Sequence, residues 1–372
     1  KRAAMEHSII FLPHDILFFI LIRLHVKSLL RFRSVSKPWK AIISDEKFKK
    51  THHDQSKASS PKNLLVQFND GVFEFRDLEN PQIAMRIQKF PLKRFQHAPA
   101  LCSCDGLVLL KSHLAYKAYA RELLWNPYAN EYGIFECPYV EAYSCKIPHA
   151  CGFCYDSNVD DYKVILIYKS FYAVCSVNRN HWTKKMSGHP KVRAPNDLLY
   201  ECSQGISIDG CVFWSLEWKI NHLVGRNSTI IYFDVKSDEL KELPRPDFIR
   251  ENQLYRLASL KGCIGLFGGN MYIKTFDVWI MEQDGRKLLM KIGTFTVFCG
   301  QFVENTVLLG CTRNDELIVQ TEAGLRYLII YDPKRHKVVK SVQIFPHSKH
   351  YIIPICCESL YFPKPNVMRK RK

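Results

Sequence analysis

The sequence lacks any long apolar run. The longest early run, Ile16 to Ile22, is far shorter than the roughly 20 apolar residues that cross a bilayer. The first residues also lack the charged, apolar and small-residue layout of a secretory signal. We therefore expect no membrane partner and no export, and we place the protein in the cytoplasm, the nucleus or both.

Motifs that carry chemistry are scarce as well. We find no glycine-rich phosphate loop that leads into a helix and no nucleophile elbow. The segment Cys151 to Cys154 has CxxC spacing, but Tyr155 and Asp156 continue a strand-to-turn pattern. A redox cysteine needs a helix start that lowers its pKa, and no second CxxC or histidine pair at zinc spacing is present.

Asp160 and Asp161 are adjacent, so on a strand or turn their carboxylates point apart. We predict no catalytic residue, no metal site and no cofactor.

Disulfide bonds are not expected either. The chain has 14 cysteines, which in a small secreted protein would suggest a disulfide framework. Without an export signal, reduced and mostly buried thiols are the better interpretation.

Acidic residues are outnumbered by basic ones, 36 to 53, which gives a formal net charge of +17. Such an excess favours an acidic partner: nucleic acid, an acidic protein face or an anionic membrane surface. It does not choose among these. Only residues 369–372 form a dense basic run, which is more typical of a solvated tail than of a nuclear signal.

The size and composition predict two domains. The chain has 372 residues, of which 47% are hydrophobic and 13% aromatic. This is enough to bury a core, so global disorder is excluded. One small domain followed by one large β domain fits the length.

Residues 13 to 24 form the first predicted helix. Pro13 is tolerated at a helix start, and Leu17, Ile20, Leu21 and Leu24 line one face. Aromatic and aliphatic residues cover much of the remainder. A helix that is apolar nearly all round must be buried on more than one side. A small head cannot supply that burial alone, so we expect a partner. The alternative is a three-helix cap packed on the body.

Two further helices are expected in this head. Val26 to Val35 is an apolar segment interrupted by basic residues. Ser36 to Ile43 is a short helix with Ser36 as its cap and Pro38 in its first turn. A last turn then carries Phe48.

These residues resemble a plant-type F-box. The matching positions are Leu12-Pro13-x-Asp15-Ile16-Leu17, Ile20-Leu21-x-Arg23-Leu24-x-Val26-Lys27-Ser28-Leu29-Leu30-Arg31-Phe32 and Val35-Ser36-Lys37-x-Trp39. His25 departs from the family, which usually has Pro there. The resemblance implies docking on a Skp adaptor and, through it, on a cullin.

The resemblance also implies a set of adaptor-binding residues. We expect them to be buried partly in the core of the head and partly against the adaptor. They are Leu12, Pro13, Ile16, Leu17, Ile20, Leu21, Leu24, Leu29, Leu30 and Trp39.

Beyond a polar boundary at residues 51–62, the sequence shows a repeated rhythm of strand, polar turn and strand. The turn markers are Asp77, Asn126, Ser176, Asp234, Asp277 and Asp332, spaced by 43 to 58 residues. A second marker precedes apolar strands at Asp105-Gly106, Asp209-Gly210, Lys261-Gly262 and Asp315-Glu316. Periods near 50 residues are typical of kelch-like propeller blades. We predict six blades, with a large sandwich or barrel as the alternative.

The same segments resemble the F-box-associated interaction domain of plants. They are Cys104 to Val108, Leu124-Trp125-Asn126-Pro127, Gly152 to Ser157 with Asp160 to Val164, Phe233 to Pro244, and Val278 to Met281. Cys154 replaces a usual Gly, and the Ser-Trp expected after Trp279 is missing. The likeness extends equally to S-locus F-box-like proteins and to other F-box-kelch-like plant proteins.

The predicted fold class is therefore α+β multidomain: a small N-terminal helical F-box followed by a mainly β, kelch-like propeller. We place the F-box at residues 8–50, the linker at 51–62, the β domain at 63–362 and the basic tail at 363–372.

The resemblance implies a non-catalytic substrate receptor of an SCF-type (Skp-cullin-F-box) ubiquitin ligase. The β domain would hold an unidentified target protein, and the charge favours an acidic contact face on it. Trp182, Trp214, Trp218 and Trp279 are candidates for a binding surface but are more typical of a β core, so the target-binding residues stay unknown. The alternative is a basic propeller that binds RNA or another polyanion without a ligase. Nucleic acid is the less favoured partner.

Overall fold

In the computed structural model of the protein, two kinds of structure follow one another along the chain. The described residues are 13–57, 63–68, 71–87, 90, 92–95, 97–111, 121–139, 148–168, 170–186, 203–219, 226–244, 254–270, 275–281, 288–296, 306–323, 325–345, 351–355 and 358–363. Among these, no helix combines the length and the apolar character needed to cross a bilayer.

The described part begins with four α-helices, which we call the head. They are α1 (His14–Leu21), α2 (Val26–Phe32), α3 (Lys37–Ser44) and α4 (Glu46–Lys57). The predicted cap of α3 is confirmed, because the Ser36 hydroxyl accepts the N–H of Trp39 at 3.3 Å. Pro38 lies in the first turn, where its missing N–H costs no helical hydrogen bond.

The fourth helix is longer than expected. The polar stretch 51–62 was predicted to be linker, but α4 continues to Lys57. Asp45 caps this helix, since its carboxylate accepts the N–H of Phe48 at 3.0 Å. His52 and His53 are buried, so tertiary packing outweighs the polar composition here.

The rest of the described chain is mainly β-structure, with one short 3-10 helix at Lys93–Phe95. The strands are β1 (Asn63–Gln67), β2 (Phe73–Asp77), β3 (Ala84–Arg86), β4 (Ala100–Cys104), β5 (Leu107–Lys111), β6 (Arg121–Asn126), β7 (Glu131–Glu136), β8 (Ala150–Asp156), β9 (Asp161–Ile167), β10 (Phe171–Ser176), β11 (His181–Met186), β12 (Ser203–Gln204), β13 (Ile206–Ile208), β14 (Cys211–Lys219), β15 (Arg226–Asp234), β16 (Glu239–Leu243), β17 (Leu254–Leu260), β18 (Cys263–Asn270), β19 (Thr275–Met281), β20 (Leu288–Thr296), β21 (Val307–Cys311), β22 (Leu317–Ala323), β23 (Leu325–Asp332), β24 (Lys337–Phe345) and β25 (Tyr351–Ile355).

Within the described ranges these strands form six sheets, the blades of a propeller. In order they are blade 1 (β25-β1-β2-β3), blade 2 (β4 to β7), blade 3 (β8 to β11), blade 4 (β13 to β16), blade 5 (β17 to β20) and blade 6 (β21 to β24). The short strand β12 adds to blade 3 by pairing in parallel with β8. The predicted six-bladed propeller is confirmed.

Blade 1 is assembled from both ends of the β region. β25 pairs antiparallel with β1, with Asn63 opposite Ile355 and Gln67 opposite Tyr351. The last described strand thereby closes the ring against the first. Closure removes the open edge that an unfinished propeller would leave.

The turn markers found in the sequence occupy equivalent places in the blades. All six lie on the third strand, and four of them, Asp77, Asn126, Asp234 and Asp332, accept backbone N–H groups two or three residues ahead. Such bonds fix a tight turn between the third and fourth strands. Asp277 is the exception, because it lies inside β19 rather than in a turn.

The second set of markers lies between the first and second strands. Asp105, Asp209, Lys261 and Asp315 all have φ between 48° and 67°, the left-handed region that Asp tolerates better than most residues. The two kinds of turn lie at the same edge of the ring, since antiparallel strands reverse direction at each turn. We call this the turn edge.

Neighbouring blades share buried apolar faces. Trp214 of blade 4 is fully buried and donates its indole N–H to the carbonyl oxygen of Cys151 in blade 3, at 2.9 Å. A Cβ atom on Gly152 would lie 2.5 Å from Cγ1 of Val212 and 2.8 Å from Cζ2 of Trp214. Only glycine allows the two blades to approach this closely.

This packing generates a prediction. Gly152→Ala should lower the free energy of unfolding by about 2 to 3 kcal/mol, because an added methyl group overpacks a core that has no room to move. Gly262 is the matched control: it has open space around it but a φ of +77°, so Gly262→Ala should cost only about 1 kcal/mol of backbone strain. Thermal or urea unfolding of both variants measures the difference. Equal losses would contradict the tight blade contact.

Candidate docking site on the helical head

The inner side of the head is a small apolar core. Leu17, Leu21 and Leu29 are buried in it together with Val26 and Ile43. Three of the ten residues predicted to bind the adaptor therefore point inward. They stabilise the helices and are not available as free surface.

The outer side of α1 carries an apolar stripe. Ile16 is 47% exposed, Phe19 62% and Ile20 45%. These positions are separated by three and four residues, so they lie on one face of the helix. Leu30 of α2 is 36% exposed, and Val35 follows at 62%. We call these five residues the outer stripe.

The outer stripe includes two residues that the sequence prediction missed, Phe19 and Val35. The spacing of Phe19 from Ile16 and Ile20 was a usable signal, but an all-round apolar helix gives no direct indication of which face is free. Val35 follows the last helical residues of α2 and carries no periodic signal.

The other residues predicted to bind the adaptor differ in how far they are exposed. Pro13 is exposed at the start of α1, whereas Leu24 and Trp39 are partly buried against the head core. The Trp39 ring meets Phe32 edge to face, with ring centroids 5.1 Å apart. Leu12 lies outside the described residues.

Basic side chains are also exposed on the head. Six lie exposed on or between α1, α2 and α3: Arg23, Lys27, Arg31, Arg33, Lys37 and Lys40. Asp15 is an acidic residue in the first turn of α1, and it lies 3.9 Å from the ring of His14. The head thus exposes both apolar and basic side chains.

The opposite side of the head lies on the turn edge of the propeller. His53 of α4 is buried, with its Nε2 atom 3.1 Å from the hydroxyl of Tyr162. That hydroxyl donates to the carboxylate of Asp105 at 2.9 Å. Burial lowers the pKa of His52, and its Nε2 atom lies 2.9 Å from the carbonyl oxygen of Leu24.

Two lysines of α4 add ion pairs to this contact. Lys49 lies 3.5 Å from Glu131 of blade 2, and Lys50 pairs with Asp160 in a turn of blade 3. The Lys50–Asp160 pair is exposed to solvent and contributes little by itself, whereas the Lys49 side chain is buried.

The other candidate chemistry lies inside the fold. Cys151 and Cys154 are buried on β8, and burial raises the pKa of Cys154, the reverse of what a redox thiol requires. Asp161 accepts the backbone N–H groups of Tyr162 and Asn178, so it is a structural carboxylate. The residues that the structure describes contain no cluster of three or more metal-ligating side chains.

The tryptophans are part of the core. Trp182, Trp214 and Trp279 are all buried. The side chain of Trp218 lies outside the described residues.

The described cysteines are free, and six of the nine are buried, as expected for thiols that pack in a β core.

Comparison with curated proteins gives a consistent set of relatives. A putative F-box protein of Arabidopsis thaliana is 29% identical over 246 residues, covering 63% of this chain and 61% of that protein. An F-box/kelch-repeat protein of the same plant is 26% identical over 289 residues, 74% of this chain and 76% of its own length. A further putative F-box protein is 23% identical, with 93% and 91% covered.

Solved structures show a weaker likeness. A chain of a nidogen/laminin complex aligns with 79% of this chain and 99% of its own, at 12% identity and a TM-score of 0.46. A putative 6-phosphogluconolactonase from Bacteroides uniformis aligns with 79% of this chain and 100% of its own, at 9% identity and a TM-score of 0.40.

Two family models match the chain directly. The F-box domain matches residues 9–51, which include most of the head. The F-box associated beta propeller domain matches residues 63–358, which is most of the sequence and includes the six blades. The protein therefore belongs to the F-box proteins that carry an F-box-associated β-propeller domain.

Proposed function

We propose that this chain is the substrate-recognition subunit of an SCF-type ubiquitin ligase in the cytoplasm or nucleus. The head would dock on a Skp adaptor and, through it, on a cullin, while the propeller would hold a target protein. The observation that carries this proposal is the outer stripe: Ile16, Phe19 and Ile20 remain exposed although the head has its own core and lies on the propeller.

Burial of the outer stripe supplies the driving force for adaptor binding. Each Å² of apolar surface removed from water contributes about 25 cal/mol. Contiguous apolar patches on a surface mark sites of association. The predicted residues divide accordingly: Leu17, Leu21 and Leu29 build the head, whereas Ile16, Ile20 and Leu30 supply contact area.

The basic charge of the head favours an acidic adaptor face. Arg23, Lys27, Arg31 and their neighbours are exposed, so they can attract an acidic surface before contact. Electrostatic complementarity of this type raises the association rate more than it slows dissociation.

The propeller would position the target by proximity alone. A receptor that holds a target lysine near an activated ubiquitin raises its effective concentration and needs no reacting group of its own. The head contacts the turn edge at blades 2 and 3, through Tyr128 and Asp160. The opposite edge of the ring lies away from the head, and we infer that the target approaches there.

The alternative of a polyanion-binding propeller has less support. Several described cations at the turn edge already have carboxylate partners: Lys241 lies 2.6 Å from Asp234, Lys261 pairs with Asp315 and Arg313 lies 3.2 Å from Glu79. A polyanion site requires cations that phosphates can reach.

The first prediction concerns the outer stripe. Ile20→Asp should weaken binding to a plant Skp adaptor by at least about tenfold, since it places a charge in the centre of an apolar contact. Val339→Asp is the matched control, because Val339 is 48% exposed on β24 of the propeller, and it should bind like the unchanged chain. Co-purification and calorimetric titration measure both. Equal binding by the two variants would remove the stripe from the interface.

The second prediction concerns the basic residues. The double change Arg23→Glu and Lys27→Glu should slow association with the adaptor by about tenfold and leave the dissociation rate within about twofold. Lys334→Glu with Arg335→Glu, on the exposed turn of blade 6, is the control and should change neither rate. Surface plasmon resonance at low salt separates the two rates. Loss of binding through faster dissociation alone would contradict a steering role.

A further inference from the structure

A short segment far along the chain lies between the head and the propeller. Residues 358–363 follow β25, and their side chains contact both units. We call them the clasp. Nothing in the sequence of the head indicates that residues more than 300 positions away complete it.

The clasp begins with a carboxylate that connects the two units. Glu358 accepts the backbone N–H of Val26 at 3.2 Å, at the start of α2, and lies 3.4 Å from Nδ1 of His25. Its other oxygen accepts the side-chain amide of Asn63 on β1 at 3.3 Å. His25 provides no side-chain cap to α2, so Glu358 satisfies an N–H group that the helix leaves open.

Apolar residues of the clasp enter both cores. Leu360 is 2% exposed and belongs to the head core, beside Leu21 and Phe48. Phe362 is also buried, but it belongs to the core between blades 2 and 3. Leu360 and Phe362 are only two positions apart, and they anchor the chain in the head core and in the propeller core respectively.

One buried amide fixes the clasp to blade 2. The side chain of Asn126 donates hydrogen bonds to the carbonyl oxygens of Ser359, at 3.0 Å, and Tyr361, at 2.8 Å. Its own oxygen accepts the N–H groups of Tyr128 and Ala129. The Tyr361 ring, in turn, stacks on His53 of α4, with ring centroids 5.3 Å apart.

We propose that the clasp, rather than the exposed ion pair of Lys50 with Asp160, holds the head in its fixed place on the propeller. The apolar anchors and the Asn126 bonds are buried, whereas the ion pair of Lys50 with Asp160 is exposed to solvent. A chain without residues 358–363 keeps its ring closure through β25 but loses the buried contacts that these residues make with both units. This device is independent of adaptor binding and target binding.

The test compares two shortened chains by hydrogen exchange. A chain that ends at Cys357 keeps β25 but lacks the clasp, whereas a chain that ends at Pro363 keeps the clasp and lacks only the residues beyond it. We expect exchange in α4 to accelerate at least tenfold in the first chain and to stay unchanged in the second. The amides of β1 should keep their protection in both. Unchanged α4 exchange without the clasp would overturn the proposal.

A point variant covers the case in which the shorter chain does not fold. Leu360→Ala removes one anchor in the full chain, and Lys50→Ala removes the exposed ion pair. Faster α4 exchange in Leu360→Ala, with β1 unaffected and Lys50→Ala unchanged, supports the clasp. Equal acceleration of α4 and β1 in Leu360→Ala would overturn it, since that result would assign residue 360 to ring closure. No adaptor is present in either experiment, so the outcome does not depend on the ligase proposal.

Discussion

The pairing of β25 with β1 is the constraint on which the rest of the structure depends. A blade buries its faces only against its neighbours, so the six-blade ring is stable only when the last strand joins the first. Because Ile355 pairs with Asn63, the chain leaves the ring at the same edge where it entered from α4. That coincidence brings residues 358–363 next to the head and makes a shared core possible.

The turn edge is suited to carrying a head because its turns are short and internally bonded. Left-handed residues such as Asp105 and Asp160 keep the backbone compact, and their carboxylates remain available to Tyr162 and Lys50 of the interface. Compact turns leave room for α4 to lie close to the strands. The head then leaves its apolar outer stripe exposed to solvent, which is the arrangement that the proposed adaptor docking requires.

Much of this could be predicted from local signals. The Ser36 cap, the markers on the third strands and the left-handed turn residues all depend on interactions over a few positions, so they leave a readable pattern. The division of the head residues into buried and exposed ones could not be predicted, because Leu17 and Ile16 are equally apolar and only tertiary packing decides which one faces inward. The continuation of α4 and the clasp depend on contacts such as Asn126 with Ser359. These join distant positions without periodicity.

The position of Leu360 in the head core also sets an order of events during synthesis. The head leaves the ribosome before Leu360 does, because more than 300 residues separate the helices from this residue of their core. At about 5–20 residues per second, the interval is on the order of half a minute. Until Leu360 arrives, the head core lacks one of its buried apolar side chains, so the newly made helices expose more apolar surface than they do in the folded protein.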